Sequence, residues 1–142
     1  MAKMEAGEIR AFLCQGTRTG KLAVTRKDGS PLVVPIWFLV DDDDTIVFMT
    51  GAETVKGRSL RRDGRVSLCV DDEHAPYAFV RIDGTVEISE DPDDLLAWST
   101  RIGGRYMGAD LAEQYGRRNA VPGELLVRIV PTATRGEANV AG

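Results

Sequence analysis

An antiparallel β-barrel with helices packed outside it is the fold that this sequence predicts. Three observations carry that expectation. Six runs of strand length are apolar or alternate in polarity, most connections between them are too short for a crossover helix, and helical stretches are few. At 142 residues the chain is long enough for one real core. The expected organisation is mainly β, six strands in one domain over residues 1–142, with the core spanning about 8–130.

The elements follow in order. Glu8 to Cys14 has helical spacing of apolar residues, with Gly16 a plausible stop. Lys21 to Arg26 reads as the first strand, and the Asp28-Gly29 turn folds it back onto a second, Pro31 to Val40. Pro35 stands inside that second run and removes a ladder donor. The strand must therefore lie at an edge, be bulged or bend there, which re-aims Ile36, Trp37 and Phe38. An acidic turn, Asp41 to Asp44, leads to the strand Thr45 to Thr50, and a basic helix follows. Arg65 to Val70 and Tyr77 to Ile88 are further strands. Asp91-Pro92 caps and starts a helix over Leu95 to Ile102, which Gly103-Gly104 is expected to interrupt. Asp110 to Tyr115 makes a short helix, Glu124 to Val130 the last strand, and the tail beyond Pro131 turns small and polar.

Composition excludes several classes of function. A net charge of -4 and a pI near 5.0 argue against a general nucleic-acid surface. The acidic runs at 41–44, 71–73 and 90–94 read as solvated turns and helix starts, and the first lacks the spacing of a calcium loop. One histidine, His74, and two distant cysteines, Cys14 and Cys69, leave no metal-ligand set, and both thiols are expected reduced and buried. The first residues have no apolar h-region and no window approaches a membrane span, so the expected location is cytoplasmic. No Ser-His-Asp, Cys-His or paired-carboxylate arrangement is evident.

The most informative segment runs from Thr50 to Asp63. A strand ending in Thr50-Gly51 passes into a helix carrying Lys56, Arg58, Arg61 and Arg62. Free N–H groups at the helix start, the helix dipole and these cations together suit an anion such as a phosphate; alone, the same residues also describe a solvated basic helix.

Four features occur in a recognisable order. They are the strand Leu22-Ala23-Val24-Thr25 with its Asp-Gly-Ser-Pro hairpin, then Val34-Pro35-Ile36-Trp37-Phe38, then Thr50-x5-Lys56-x2-Ser59-Leu60-Arg61-Arg62-Asp63, then Arg65-Val66-Ser67-Leu68. In this order the chain resembles the pyridoxamine 5′-phosphate oxidase-like FMN-binding split β-barrel family, a Greek-key barrel of flavin and deazaflavin binders. The similarity covers roughly residues 8 to 130. It implies a homodimer with two cofactors in the grooves where subunits meet, acting on a small molecule without nucleic acid, membrane or metal. Carried over by position, Pro35, Ile36, Trp37 and Phe38 lie along the cofactor ring. Thr50, Gly51 and Lys56 hold its phosphate, with Arg58 and Ser59 in support. Ser59 departs from the Asn that many members have, which shifts part of that contact to Arg58 or water.

The branch most similar to this sequence uses coenzyme F420, a deazaflavin with a phosphodiester and a polyglutamate tail. Resemblance to it rests on the short chain, the Leu60-Arg61-Arg62-Asp63 run and Arg105-Tyr106-Met107-Gly108. Arg61, Arg62, Arg101, Arg105, Arg117 and Arg118 are candidate partners for the tail. The implied reaction is hydride transfer between F420 and a planar electron-poor acceptor, an enone or quinone, with Tyr77, Tyr106, His74 or solvent as candidate proton donors. FMN is the alternative cofactor. A non-catalytic flavin or deazaflavin carrier is the alternative of another class.

Overall fold

Eight strands hydrogen-bond into one curled antiparallel sheet, two more than the sequence predicts. The computed structural model describes residues 1–142. The strands are β1 (Ala2–Lys3), β2 (Gly20–Thr25), β3 (Pro31–Ile36), β4 (Leu39–Val40), β5 (Ile46–Gly51), β6 (Arg65–Asp72), β7 (Ala78–Ser89) and β8 (Glu124–Ala138). Their order across the sheet is β3-β2-β6-β7-β8-β5-β4, and β1 pairs with the far end of β8. The two additions have simple origins. β1 is a two-residue strand too short to show a pattern, and the expected strand Pro31 to Val40 divides into β3 and β4 around Trp37-Phe38.

Pro35 explains that division in part. It sits on β3, an edge strand of the sheet, opposite Lys21, where its missing N–H removes no inner ladder bond. The ladder with β2 ends at Ile36, and the chain crosses to β4 on the opposite edge, paired with β5. The sheet thus curls into a half-barrel whose two edges are joined by Trp37-Phe38.

The hairpin between β2 and β3 turns where the sequence places it, with Gly29 at φ +87 and its N–H bonded to the Arg26 carbonyl. β8 runs for 15 residues, well beyond the expected stop at Val130, because the tail pairs with β7 as far as Glu137. A bulge at Thr132 absorbs the twist: Asp83 faces Ala133 while its neighbour Gly84 faces Pro131. Gly84 is required there, since a Cβ would stand 2.5 Å from the Val130 carbonyl oxygen.

The barrel interior is an 18-residue apolar cluster that includes Leu22, Ile36, Phe38, Phe48, Leu68, Val80, Leu125 and Ile129. α1 (Ala6–Cys14) closes one end with Leu13 buried. Cys14 is exposed and Cys69 half-buried, so the expected burial of both thiols does not hold; the single buried position of α1 is Leu13, one residue away. α2 (Val55–Arg62) follows β5. α3 (Pro92–Met107) and α4 (Ala112–Asn119) pack together outside the sheet, where Leu95 and Trp98 cover Val47 and Leu126.

α3 does not break at Gly103-Gly104. It runs 16 residues, because those glycines let α4 approach: a Cβ on Gly103 would stand 2.8 Å from the Tyr115 Cβ, and one on Gly104 3.3 Å from that of Ala112. The glycines serve a helix–helix contact that the sequence pattern alone mistakes for a stop. No helix is long and apolar enough to cross a membrane.

Candidate functional site

A cleft of about 410 Å³ opens where β3 and β5 end and where α2 and β8 begin. Pro35, Ile36 and Trp37 form one side; Met49, Thr50 and Gly51 form the floor from β5; Thr54 and Lys56 come from the start of α2. Glu124 enters from the first residue of β8, and Ser99, Ile102 and Asn119 overhang from α3 and α4. Apolar side chains thus lie at the Ile36, Trp37 and Met49 end, and charge at the Lys56 and Glu124 end.

The charged end depends on an unusually close helix. Thr54 caps α2 by accepting the Gly57 N–H at 3.0 Å, and its own hydroxyl donates to the Gly51 carbonyl at 2.8 Å. With that proton committed, Thr50 is the donor in the long 3.4 Å contact between the two hydroxyls. Gly57 lets the helix rest on the strand end, since a Cβ there would overlap the Gly51 carbonyl oxygen. The N–H groups of Val55 and Lys56 lie outside the helix ladder and add positive potential beside the cleft.

Lys56 is half-buried and has no hydrogen-bonding or ion-pair partner in the protein. Burial pushes its ammonium below the ordinary lysine range, and the charge of Glu124 only partly offsets this. Glu124 is its counterpart: burial raises the carboxyl, Lys56 pulls it back, and no donor touches it. Two half-buried charges of opposite sign therefore share one cleft without contact. A phosphate-bearing ring fits this arrangement, with its anion at Lys56, Thr50 and the α2 start, and its ring along Ile36, Trp37 and Met49.

The apolar wall is held from outside. The Trp37 ring stacks parallel on Tyr106, centroids 5.0 Å apart, and meets Tyr115 at a tilt. Tyr106 accepts the Phe38 N–H at 3.2 Å, and its hydroxyl reaches the carbonyls of Arg18 at 2.9 Å and Phe38 at 3.3 Å. Arg105 donates to the carbonyls of Gly16, Phe38 and Leu13 at 2.8 to 3.0 Å. Together they satisfy the Phe38 backbone between β3 and β4 and tie it to carbonyls at the end of α1 and in the loop before β2. Burial raises the Tyr106 phenol.

Of the residues singled out in the sequence, Pro35, Ile36, Trp37, Thr50, Gly51 and Lys56 come together in the cleft. Phe38 is wholly buried in the core beneath it, and Ser59 is buried in α2 near Arg62. Arg58 is exposed and pairs with Glu53 at 3.1 Å. Tyr106 reaches the site only through Trp37, and Tyr77 lines a separate depression with Phe79 and Val140. Glu124, Asn119, Ser99 and Ile102 also line the cleft, and no local motif in the sequence marks them. Thr54 carried a signal, a threonine three residues before Gly57 at the head of a basic helix.

The family profile described as pyridoxamine 5′-phosphate oxidase matches residues 6–136. The chain belongs to that family of flavin-binding split barrels, which includes oxidoreductases. A conserved hypothetical protein of Mycobacterium tuberculosis is 30% identical, with a TM-score of 0.83 over 96% of this chain and 86% of that one. An F420 reductase is 28% identical, with a TM-score of 0.68 over 86% of this chain and 92% of that one. A FAD-binding protein of Mesorhizobium loti, at 24% identity and a TM-score of 0.67 over 95% and 93%, shares the fold. No curated protein sequence matches the chain.

Proposed function

We propose that this split barrel is an F420-dependent oxidoreductase that transfers hydride between the deazaflavin and a small planar electron-poor acceptor. The observation that carries the reading is the half-buried Lys56 left without a partner at the head of α2, at the end of a cleft whose other wall is aromatic. Its likeness to an F420 reductase supports the choice of cofactor.

When bound, the deazaflavin supplies the hydride chemistry. The chain's residues bind and orient. Lys56, the Thr50 hydroxyl and the first N–H groups of α2 hold the phosphate. Ile36 and Trp37 set the plane of the ring, and the overhang from α3 and α4 keeps bulk water from its inner face. In this reading the acceptor's proton comes from solvent, because the Tyr106 hydroxyl is engaged by backbone groups and Tyr77 stands at another surface. The reading includes a homodimer with the cofactor at the subunit interface. The apolar edge strand β3, with Val33 62% exposed, is a face suited to such a contact.

One observation favours FMN as a second reading. Several cations suited to a polyglutamate tail are engaged: Arg61 with Glu90 at 3.0 Å, Arg117 with Glu113 at 3.8 Å, and Arg105 with three carbonyls. Parallel titrations with F420 and FMN decide between the two. Tighter binding of F420, weakened about 10- to 100-fold in Lys56→Ala, supports the proposal. Tighter FMN binding favours the second reading, and no binding of either at high micromolar concentration sinks both.

A further inference from the structure

The bare charges of the cleft carry an inference about Glu124, which rests on the reading of a flavin-type cofactor above. Glu124 opens β8 directly opposite Gly51, the last residue of β5. Its Oε1 lies 3.9 Å from where a Gly51 Cβ would stand. This places the carboxylate over Gly51, which follows the Met49-Thr50 floor of the cleft and precedes the Thr54 cap and Lys56 at the start of α2. No protein donor satisfies it, although it is half-buried.

A carboxylate in that position opposes a neighbouring phosphate by charge alone. It becomes favourable only if the ligand brings hydrogen-bond donors to it. Between the phosphate and the ring, both F420 and FMN carry a ribityl chain, whose hydroxyls are such donors. A carboxylate accepts from two adjacent hydroxyls at once, in charge-assisted bonds stronger than neutral ones. The same group would reject a ligand with a second anion at that position, so it selects a polyol phosphate over a diphosphate.

We propose that Glu124 is a specificity-determining residue of the cofactor site, accepting hydrogen bonds from the hydroxyls of the ribityl chain.

The test is a binding series on the full chain with four probes: F420, FMN, riboflavin, which lacks the phosphate, and lumiflavin, which lacks the ribityl chain as well. Glu124→Ala is expected to weaken F420, FMN and riboflavin each about tenfold and to leave lumiflavin unchanged. Lys56→Ala should weaken F420 and FMN while sparing riboflavin. Glu124→Gln keeps a carbonyl acceptor and the same shape, so a smaller loss than in Glu124→Ala supports the role, and it stands in for the alanine variant if that fails to fold. Tighter binding of F420 or FMN to either Glu124 variant would show the carboxylate to be only a repulsive neighbour, and an equal loss for lumiflavin would show it to be only structural; either overturns the proposal. If the wild type binds none of the four probes, the cofactor reading falls and this proposal with it. Binding that is intact in the wild type and unchanged in both variants overturns the Glu124 role alone.

Discussion

Two polar clefts on the same barrel treat their charges in opposite ways. In the depression between the end of α1 and β6, every basic side chain has a partner: Lys21 with Asp71 at 2.9 Å, Arg18 with Asp72 at 3.4 Å, and the His74 ring with Asp72 at 2.8 Å. In the cleft at the head of α2, Lys56 and Glu124 face the same space and touch no partner. The first arrangement is self-sufficient and contributes little to stability beyond fixing a loop. The second leaves both charges without a partner in the protein. Charge density alone does not separate the two; the accounting of partners does.

The contrast can be tested by substitution. The largest effect is expected at Gly57→Ala, which forces α2 off the end of β5. It should cost about 1–3 kcal/mol of stability by denaturant titration and weaken cofactor binding with it. A variant with wild-type stability would mean the helix has slack and the cleft is not built by that contact. Next comes the pair Lys56→Met and Lys21→Met. Removing an unpartnered, half-buried charge should leave the ligand-free protein as stable as wild type or more so, by about 0.5–2 kcal/mol, in the manner of residues kept for function. Breaking the Lys21–Asp71 pair should cost up to about 1 kcal/mol and leave cofactor affinity unchanged. A clear destabilisation by Lys56→Met would erase the distinction between the clefts.

The smallest effect is one of pH. Burial lowers the pKa of Lys56 from the ordinary 10.5, so the unfolded chain binds that proton more tightly than the folded, ligand-free one. Its contribution to stability therefore rises with pH between the folded value and 10.5. A bound anion favours the ammonium, so cofactor affinity should be full below the folded value and decline through the same alkaline window. Lys56→Arg, which stays charged, should flatten that decline, and an identical profile in both would remove Lys56 from the anion site.

The sequence shows local instructions and hides distant ones. The Asp28-Gly29 hairpin, the edge position of Pro35 and the passage from Thr50-Gly51 into a basic helix are legible because each is written within a few neighbouring residues. Gly103-Gly104 misleads because its reason lies on α4, at Tyr115 and Ala112. β8 outruns its apolar pattern because β7 supplies the ladder that the polar tail lacks in composition. The candidate site divides in the same way. Thr50 and Lys56 stand in one short segment, whereas Glu124 joins them only through the pairing of β8 with β5.

The Arg105-Tyr106 contacts carry a consequence for how such a cleft is shaped. The wall residue Trp37 stacks on Tyr106, which stands on α3, 69 residues later in the sequence. Residues 31–40 set what the wall is made of, while its seat also depends on α3. A change at Arg105 or Tyr106 therefore reshapes this wall from far along the chain, without touching a residue that lines the cleft.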